Sequence, residues 1–317
     1  MKKFTYTDIN DTRSGFGAGL LEAGKKNSKV VAMCADLIGS LKMDAFKDEF
    51  PERFFQVGIS EANMIGMAGG LATAGKIPVT GTFANFSTAR VLDQVRQTVA
   101  YSNKNVKVCA SHAGLTLGED GATHQTMEDI SMMKNLPNMV VINPCDYNQT
   151  KAATEAIMEY VGPVYLRFGR PKVPNFTPAD QEFKIGEAVM LNEGADVTIF
   201  ATGHMVWKSI EAGEILAEKG IDVEIINIHT IKPLDKEAVL KSAAKTGCVV
   251  TAEEHLRNGG LGDNIAQILA LNNPLPMEMV AVDDQFGESG TPDELMTKYG
   301  LDAKDIVAAV ERVVARK

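Results

Sequence analysis

The stretch FFQVGISEANMIGMAGGLATAGKIPVTGTFANF, residues 54–86, decides the fold. An apolar run at 55–59 leads into Ser60 and Glu61. An amphipathic span at 63–74 and a second apolar run at 78–83 follow. Short apolar runs punctuated by Gly and Pro read as buried strands, and the span between them reads as a helix. Two strands joined by a crossover helix lie parallel in one sheet. Working outward, strand-like runs stand at 30–34, 106–111, 139–143 and 164–168, with helical patterns at 11–25, 89–101 and 146–160. Such alternation predicts a mainly parallel sheet covered on both faces.

The second half repeats the scheme, with strands at 197–201, 223–228, 248–252 and 277–282. Its helical patterns are 205–219, 235–245, 262–271 and 303–315. Between the halves, PKVPNFTPADQEFK (171–184) has three prolines and no periodicity, the mark of an extended connection. The fold class is α/β with two doubly wound domains, residues 1–172 and a smaller 185–317, joined by a linker at 173–184. At 317 residues the chain is too long for one compact core.

Composition narrows the function classes. With 45% hydrophobic and 23% charged residues the chain is ordinary globular material. A net charge of −9 argues against nucleic-acid binding by bulk charge, yet leaves room for a local anion pocket. No apolar run approaches the roughly 18 residues of a membrane helix. No apolar segment follows Lys2 and Lys3, so a secretory signal is not expected and a cytoplasmic location is. Cys34, Cys109, Cys145 and Cys248 form no C-x-x-C pair and read as small core residues in a reducing compartment. The five histidines show no metal-ligand spacing, so no metal site is expected in this chain.

Open parallel sheets bind ligands beyond the carboxyl ends of their strands. Asp36 and Ser40 follow the first strand, Glu61 the second, and Phe83 and Phe86 the third. His112, Glu119, Asp120 and His124 follow the fourth, and Arg167 and Arg170 the sixth. Each has an ordinary explanation alone. Ser60 could cap a helix whose positive end Glu61 favours, the phenylalanines could be core, and GEDG could be only a turn. Repeated at five strand ends, they predict one polar pocket with apolar walls.

The order GISEANM, GTFANF, GEDGATHQ, RFGRP, then NIHTIKPLD, TAEEH and GGLG, resembles the C-terminal half of transketolase across essentially the whole chain. The resemblance implies a pyrimidine-binding domain followed by a transketolase C-terminal domain. It also implies thiamine diphosphate as cofactor and transfer of a two-carbon ketol unit from a ketose phosphate to an aldose phosphate. By motif match, Glu61 is the glutamate that bonds the aminopyrimidine ring and makes it an internal base, which requires a water-poor setting. Phe83 and Phe86 would flank that ring, and Asp36 would lie close to the cofactor. Asp120 and His124 match residues at the sugar's reacting end, with His124 also catalytic. Arg13, Ser40, His112 and Arg170 match the phosphate-binding set, where an arginine fork suits phosphate, and Arg167 is the alternative should the register differ.

The family's usual flanks of the glutamate are replaced by Ser60 and Ala62, and a third aromatic after the NF is absent, since Ser87, Thr88 and Ala89 follow. These changes bear on substrate preference, so the sugar phosphates and the pathway, pentose phosphate or a catabolic branch, stay open. The resemblance further implies a diphosphate and Mg²⁺ site of G-D-G…N type, which this chain lacks. The partner is then a separate N-terminal subunit that holds Mg²⁺ in an α2β2 heterotetramer, with the active site at a subunit interface. Three alternatives are weighed: the beta chain of a 2-oxoacid dehydrogenase decarboxylating component, a deoxyxylulose-phosphate synthase-like carboligase, and a non-catalytic subunit of the same fold. The first lacks GEDGATHQ, the second comes as one long chain, and the third has no need of Glu61.

Overall fold

The structure, a computed structural model, describes residues 1–317. Its larger sheet has seven strands. From one edge they run Thr230–Lys232, Val140–Ile142, Val164–Arg167, Lys107–Ser111, Ile77–Phe83, Val30–Cys34 and Phe54–Gln56. Six are mutually parallel, and Thr230–Lys232 pairs antiparallel with Val140–Ile142. The strands Val30–Cys34, Ile77–Phe83 and Lys107–Ser111 are buried along their whole length, as a sheet covered on both faces requires. The smaller sheet runs Met277–Val282, Val249–Leu256, Val197–Ala201, Val223–Asn227 and Val189–Asn192, with only the last antiparallel. The α/β class and the two sheets agree with the sequence reading.

Chain order reverses between Val30–Cys34 and Ile77–Phe83. From the first strand the chain steps outward to Phe54–Gln56, and the later strands build on the other side. A crevice opens at such a switch point, beyond the strands' carboxyl ends. Asp36, Glu61 and Phe83 all leave the sheet there.

The strand expected at 55–59 is confined to Phe54–Gln56 and Val189–Asn192 is an added edge strand, and three further departures bear on how the halves join and where the site lies. The strand Lys172–Asn175 at the start of the linker pairs antiparallel with Asp8–Asp11, so this part of the connection is laddered and fastened to the first domain. Thr230–Lys232 of the second half completes the first domain's sheet, so the halves share a sheet edge. A three-residue strand has too short a pattern to reveal its partner from sequence. The expected helix at 89–101 is broken into a 3-10 turn at Ala89–Val91, a single turn at Leu92–Gln94 and a π-helical stretch at Val95–Tyr101. All four cysteines are buried and unpaired, as expected.

Candidate active site

The helix Thr12–Lys26 is started by Asp11, whose carboxylate accepts the Ser14 amide at 2.9 Å. It packs so closely on Tyr147–Glu159 that a Cβ on Gly15 would stand 2.3 Å from the Tyr147 carbonyl oxygen. Only glycine permits that approach, and it carries the helix's first turn to the crevice. Arg13 in that turn lies 3.3 Å from Asp11 and donates to the Ser40 carbonyl at 3.2 Å.

Glu61 opens the helix Glu61–Thr73, and its residue is only 4% exposed. The capping explanation for its neighbour fails, because the Ser60 hydroxyl donates backward to the Val57 carbonyl at 2.7 Å and makes no cap bond. Glu61 Oε1 accepts from Arg90 at 2.9 Å. Arg90 also lies over the Phe86 ring, 4.0 Å from its centroid. Sequence reasoning missed Arg90. It stands in the 3-10 turn that interrupts the expected helix, so helical spacing gave no hint of where it would project.

Phe83 and Phe86 stack at 5.9 Å with planes 18° apart. Phe83 stacks on His112 at 3.9 Å, and Phe86 meets His124 edge-on at 5.4 Å. His112, Phe83, Phe86 and Arg90 thus form a continuous wall ending at the Glu61 carboxylate. His112 adopts a left-handed φ of 58°, uncommon for a residue with a Cβ and a form of strain that clusters at functional sites. Burial first, then the cations of Arg13 and Arg170, push its pKa down to about 3. At neutral pH it is therefore an uncharged hydrogen-bonding group beside the two arginines.

The loop 112–126 carries His112, Glu119, Asp120 and His124. Asn85 Nδ2 donates to the Thr123 carbonyl at 3.0 Å, tying the loop to the phenylalanine segment. On its other side the loop is fastened to the second domain. Glu254 Oε1 accepts the buried Thr116 amide at 2.7 Å, Gln125 Nε2 donates to the Glu288 carbonyl at 3.0 Å, and the Leu256 amide donates to the Met127 carbonyl at 2.9 Å. Gly114, with φ 83°, passes so near Glu254 that a Cβ would fall 2.2 Å from Oε1.

Arg170 donates to the Leu117 carbonyl at 2.7 Å and is ion-paired with the exposed Glu119, whose carboxyl it holds below the usual range. Arg13, Ser40, His112 and Arg170 therefore gather at one end of the site, with Glu61, Phe83, Phe86 and His124 at the other. Arg167, the alternative to Arg170, belongs elsewhere. It is buried, with Nε on Asp129 at 2.7 Å and Nη2 on the Glu254 carbonyl at 2.8 Å, and cannot reach a ligand in the crevice. Asp36 is exposed at φ 60°, and its amide and that of Gly58 both donate to Gln56 Oε1, at 2.8 and 3.3 Å. That side chain links the Asp36 turn to the loop leading to Glu61. Asp120 is exposed beside Gly121, whose φ of 75° turns the loop back.

The arrangement fits the heterocyclic end of thiamine diphosphate: a desolvated carboxylate with Oε2 free of protein hydrogen bonds, beside an aromatic wall. No group of three or more His, Cys, Asp or Glu side chains in the chain is placed to hold a metal ion. The crevice is open next to Glu61, where Ile59 is 77% exposed and Gly66 and Gly70 have nothing within 4 Å of where a Cβ would stand.

The family described as "Transketolase, pyrimidine binding domain" matches residues 10–175, and "Transketolase, C-terminal domain" matches residues 186–306. The chain is 47% identical to the 6-deoxy-6-sulfo-D-fructose transketolase subunit SqwH of Clostridium sp. (strain MSTE9), covering 94% of this chain and 92% of that one. It is 38% identical to an apulose-4-phosphate transketolase subunit of Phocaeicola vulgatus, covering 93% and 94%. A solved structure titled "Split gene transketolase, inactive beta4 tetramer" superposes with a TM-score of 0.92 at 45% identity, covering 97% of this chain and 99% of that one.

Proposed function

This chain belongs to the transketolase family, and from that premise we propose that it is the pyrimidine-binding and C-terminal subunit of a two-chain enzyme. The enzyme moves a two-carbon ketol unit from a ketose to an aldose bearing a phosphate or a similar terminal anion. The observation that carries this reading is the burial of Glu61 beside Phe83 and Phe86 at the sheet's switch point. When bound, thiamine diphosphate supplies a carbon nucleophile able to hold the ketol unit. This chain's part is to place a proton acceptor at the ring through Glu61, to exclude water with the aromatic wall, and to orient the sugar.

At the far end, Arg13 and Arg170 supply the positive charge and His112 an uncharged hydrogen bond. The forked guanidinium donates two bonds to one terminal anion, phosphate or sulfonate alike. The similarity to subunits named for a sulfo-sugar and for a sugar phosphate supports treating that anion as the recognised feature. His124 and Asp120, on the loop that follows the fourth strand, would take the sugar hydroxyls near the reacting carbon, with His124 the group that passes a proton there.

A separate N-terminal chain completes the site. It would cover the open face around Ile59 and the small-residue side of Glu61–Thr73, and contribute the diphosphate and Mg²⁺ ligands. Relatives of matching length named as subunits support an assembly of two chain types, in our reading an α2β2 tetramer in the cytoplasm. The likeness to a chain titled an inactive beta4 tetramer supports the view that this chain type is incomplete by itself. The test is reconstitution. Alone, the chain transfers no ketol unit. Mixed with a G-D-G-bearing N-terminal chain, thiamine diphosphate and Mg²⁺, it transfers ketol units between sugar phosphates. Decarboxylation of a 2-oxoacid by the mixture, with no ketol transfer, refutes the proposal.

A further inference from the structure

Arg90 touches both of the groups that the proposed function assigns to the cofactor's aminopyrimidine ring. Its Nη1 donates to Glu61 Oε1 at 2.9 Å, and its guanidinium carbon lies 4.0 Å from the centroid of the Phe86 ring. A guanidinium is flat, delocalised and rimmed with N–H donors, so it can stack on an aromatic face and bond a carboxylate together. An aminopyrimidine has the same two features, a flat face and nitrogens along its edge.

Aromatic surface for a ring is limited at this end of the site. Phe83 is 7% exposed and already stacked by the His112 ring at 3.9 Å. Phe86 is half-buried, and Arg90 covers it. Non-bonded carbons rest about 3.5–4.0 Å apart, so a guanidinium this close leaves no gap for a second flat group against the Phe86 face. A ring that stacks on that face and bonds Glu61 needs the place that the guanidinium holds.

Arg90 is also able to leave. Its side chain is 47% exposed, whereas that of Glu61 is 5% exposed. The bond to Glu61 is the only hydrogen bond its side chain makes, so on release its donors pass to water and break no other contact of that kind. The backbone around it is irregular. Thr88 (φ −122°, ψ −83°) and Val91 (φ −126°, ψ 22°) are both non-helical, and the chain then enters the π-helical stretch Val95–Tyr101. Short 3-10 and π segments of this kind often stand at hinges and functional sites. Glu61, for its part, needs a partner before the cofactor arrives, because a buried carboxylate left alone is strongly destabilising.

We propose that Arg90 is a place-holder for the aminopyrimidine. In the unloaded chain its guanidinium pairs Glu61 and covers Phe86, and it swings out to solvent when the cofactor enters. The inference rests on the proposed function and adds to it a residue that sets cofactor affinity. Binding that requires Arg90 to be out is weakened by the fraction of chains in which it is still in.

The test is a calorimetric titration with thiamine diphosphate of this chain in complex with the N-terminal chain and Mg²⁺, for the parent and for Arg90→Ala. Arg90→Ala should bind about five- to tenfold more tightly, and that gain should shrink as added salt screens the parent's ion pair. Damage to the site weakens binding, so a gain is a signature that a merely structural role does not produce. In the free chain, Arg90→Ala should lower the denaturant midpoint, and the same substitution made in Glu61→Gln should lower it much less, because no buried charge is then stranded. Equal or weaker cofactor binding in Arg90→Ala, or an unmoved free-chain midpoint, would overturn the proposal and leave Glu61's own role standing. A parent complex that takes up no thiamine diphosphate refutes the functional reading, and this inference with it, so the two failures are told apart.

Discussion

Glu254 reaches from the second domain into the loop that faces the sugar, and removing its carboxylate should act in two places at once. In Glu254→Ala the Thr116 amide, buried and bonded at 2.7 Å, loses its acceptor. A hydrogen bond to a charged acceptor contributes about 1.5–3 kcal/mol, and leaving the buried donor unsatisfied costs on the order of the same amount. Arg167 loses a nearby negative charge as well, although it keeps Asp129 at 2.7 Å. The net expectation is a loss of about 3 kcal/mol in unfolding free energy, read as a lower denaturant midpoint at unchanged slope. The kinetic effect follows from geometry. A misplacement of about 1 Å in a positioning element costs up to about 100-fold, so in the reconstituted complex kcat/KM should fall by about 10- to 100-fold. Glu254→Gln keeps an acceptor for Thr116 and should lose only about 1 kcal/mol and a few-fold in kcat/KM. If Glu254→Ala stays within about 1 kcal/mol of the parent and turns over normally, the claim that the second domain positions the loop is wrong.

Glu61→Gln preserves shape but not basicity, and a positioned proton acceptor contributes about 100- to 10,000-fold, so turnover of the complex should drop by that factor while thermal unfolding moves little. Turnover within about threefold of the parent would remove Glu61 from the chemistry. Glu119 competes with the substrate anion for Arg170, so Glu119→Gln should lower KM for phosphorylated sugars and Arg170→Ala should raise it. Equal shifts with unphosphorylated sugars would contradict that placement. Burial holds the folded-state pKa of His112 near 3 and of His204, His229 and His255 near 4, below the ordinary 6.5. Between those values the unfolded chain binds more protons, so stability is full above about pH 6.5 and falls on acidification toward pH 4, by up to about 1.4 kcal/mol per pH unit per imidazole. Glu253, raised by burial to about 7, opposes this, since its folded form holds a proton that the unfolded form releases above its ordinary 4.5. A denaturant midpoint that is flat from about pH 4 to 7 both in the parent and in Glu253→Gln would refute the histidine assignment.

Much of this was legible in the residues themselves. The strands Val30–Cys34, Val197–Ala201 and Met277–Val282 lie where the local pattern predicts, because short, largely apolar runs are a property of sequence alone. The placement of Glu61, Phe83 and His112 at strand ends followed from the same counting. Tertiary structure decided what no local pattern encodes. It separated Arg170, at the crevice, from Arg167, buried on Asp129, although only two residues lie between them. It put Arg90 onto Glu61 across 29 positions, brought Glu254 to Thr116 across 138, and drew Thr230–Lys232 to the edge of the first sheet. Such pairings depend on which buried polar groups must find partners once distant segments have packed. That requirement arises only when the chain is folded.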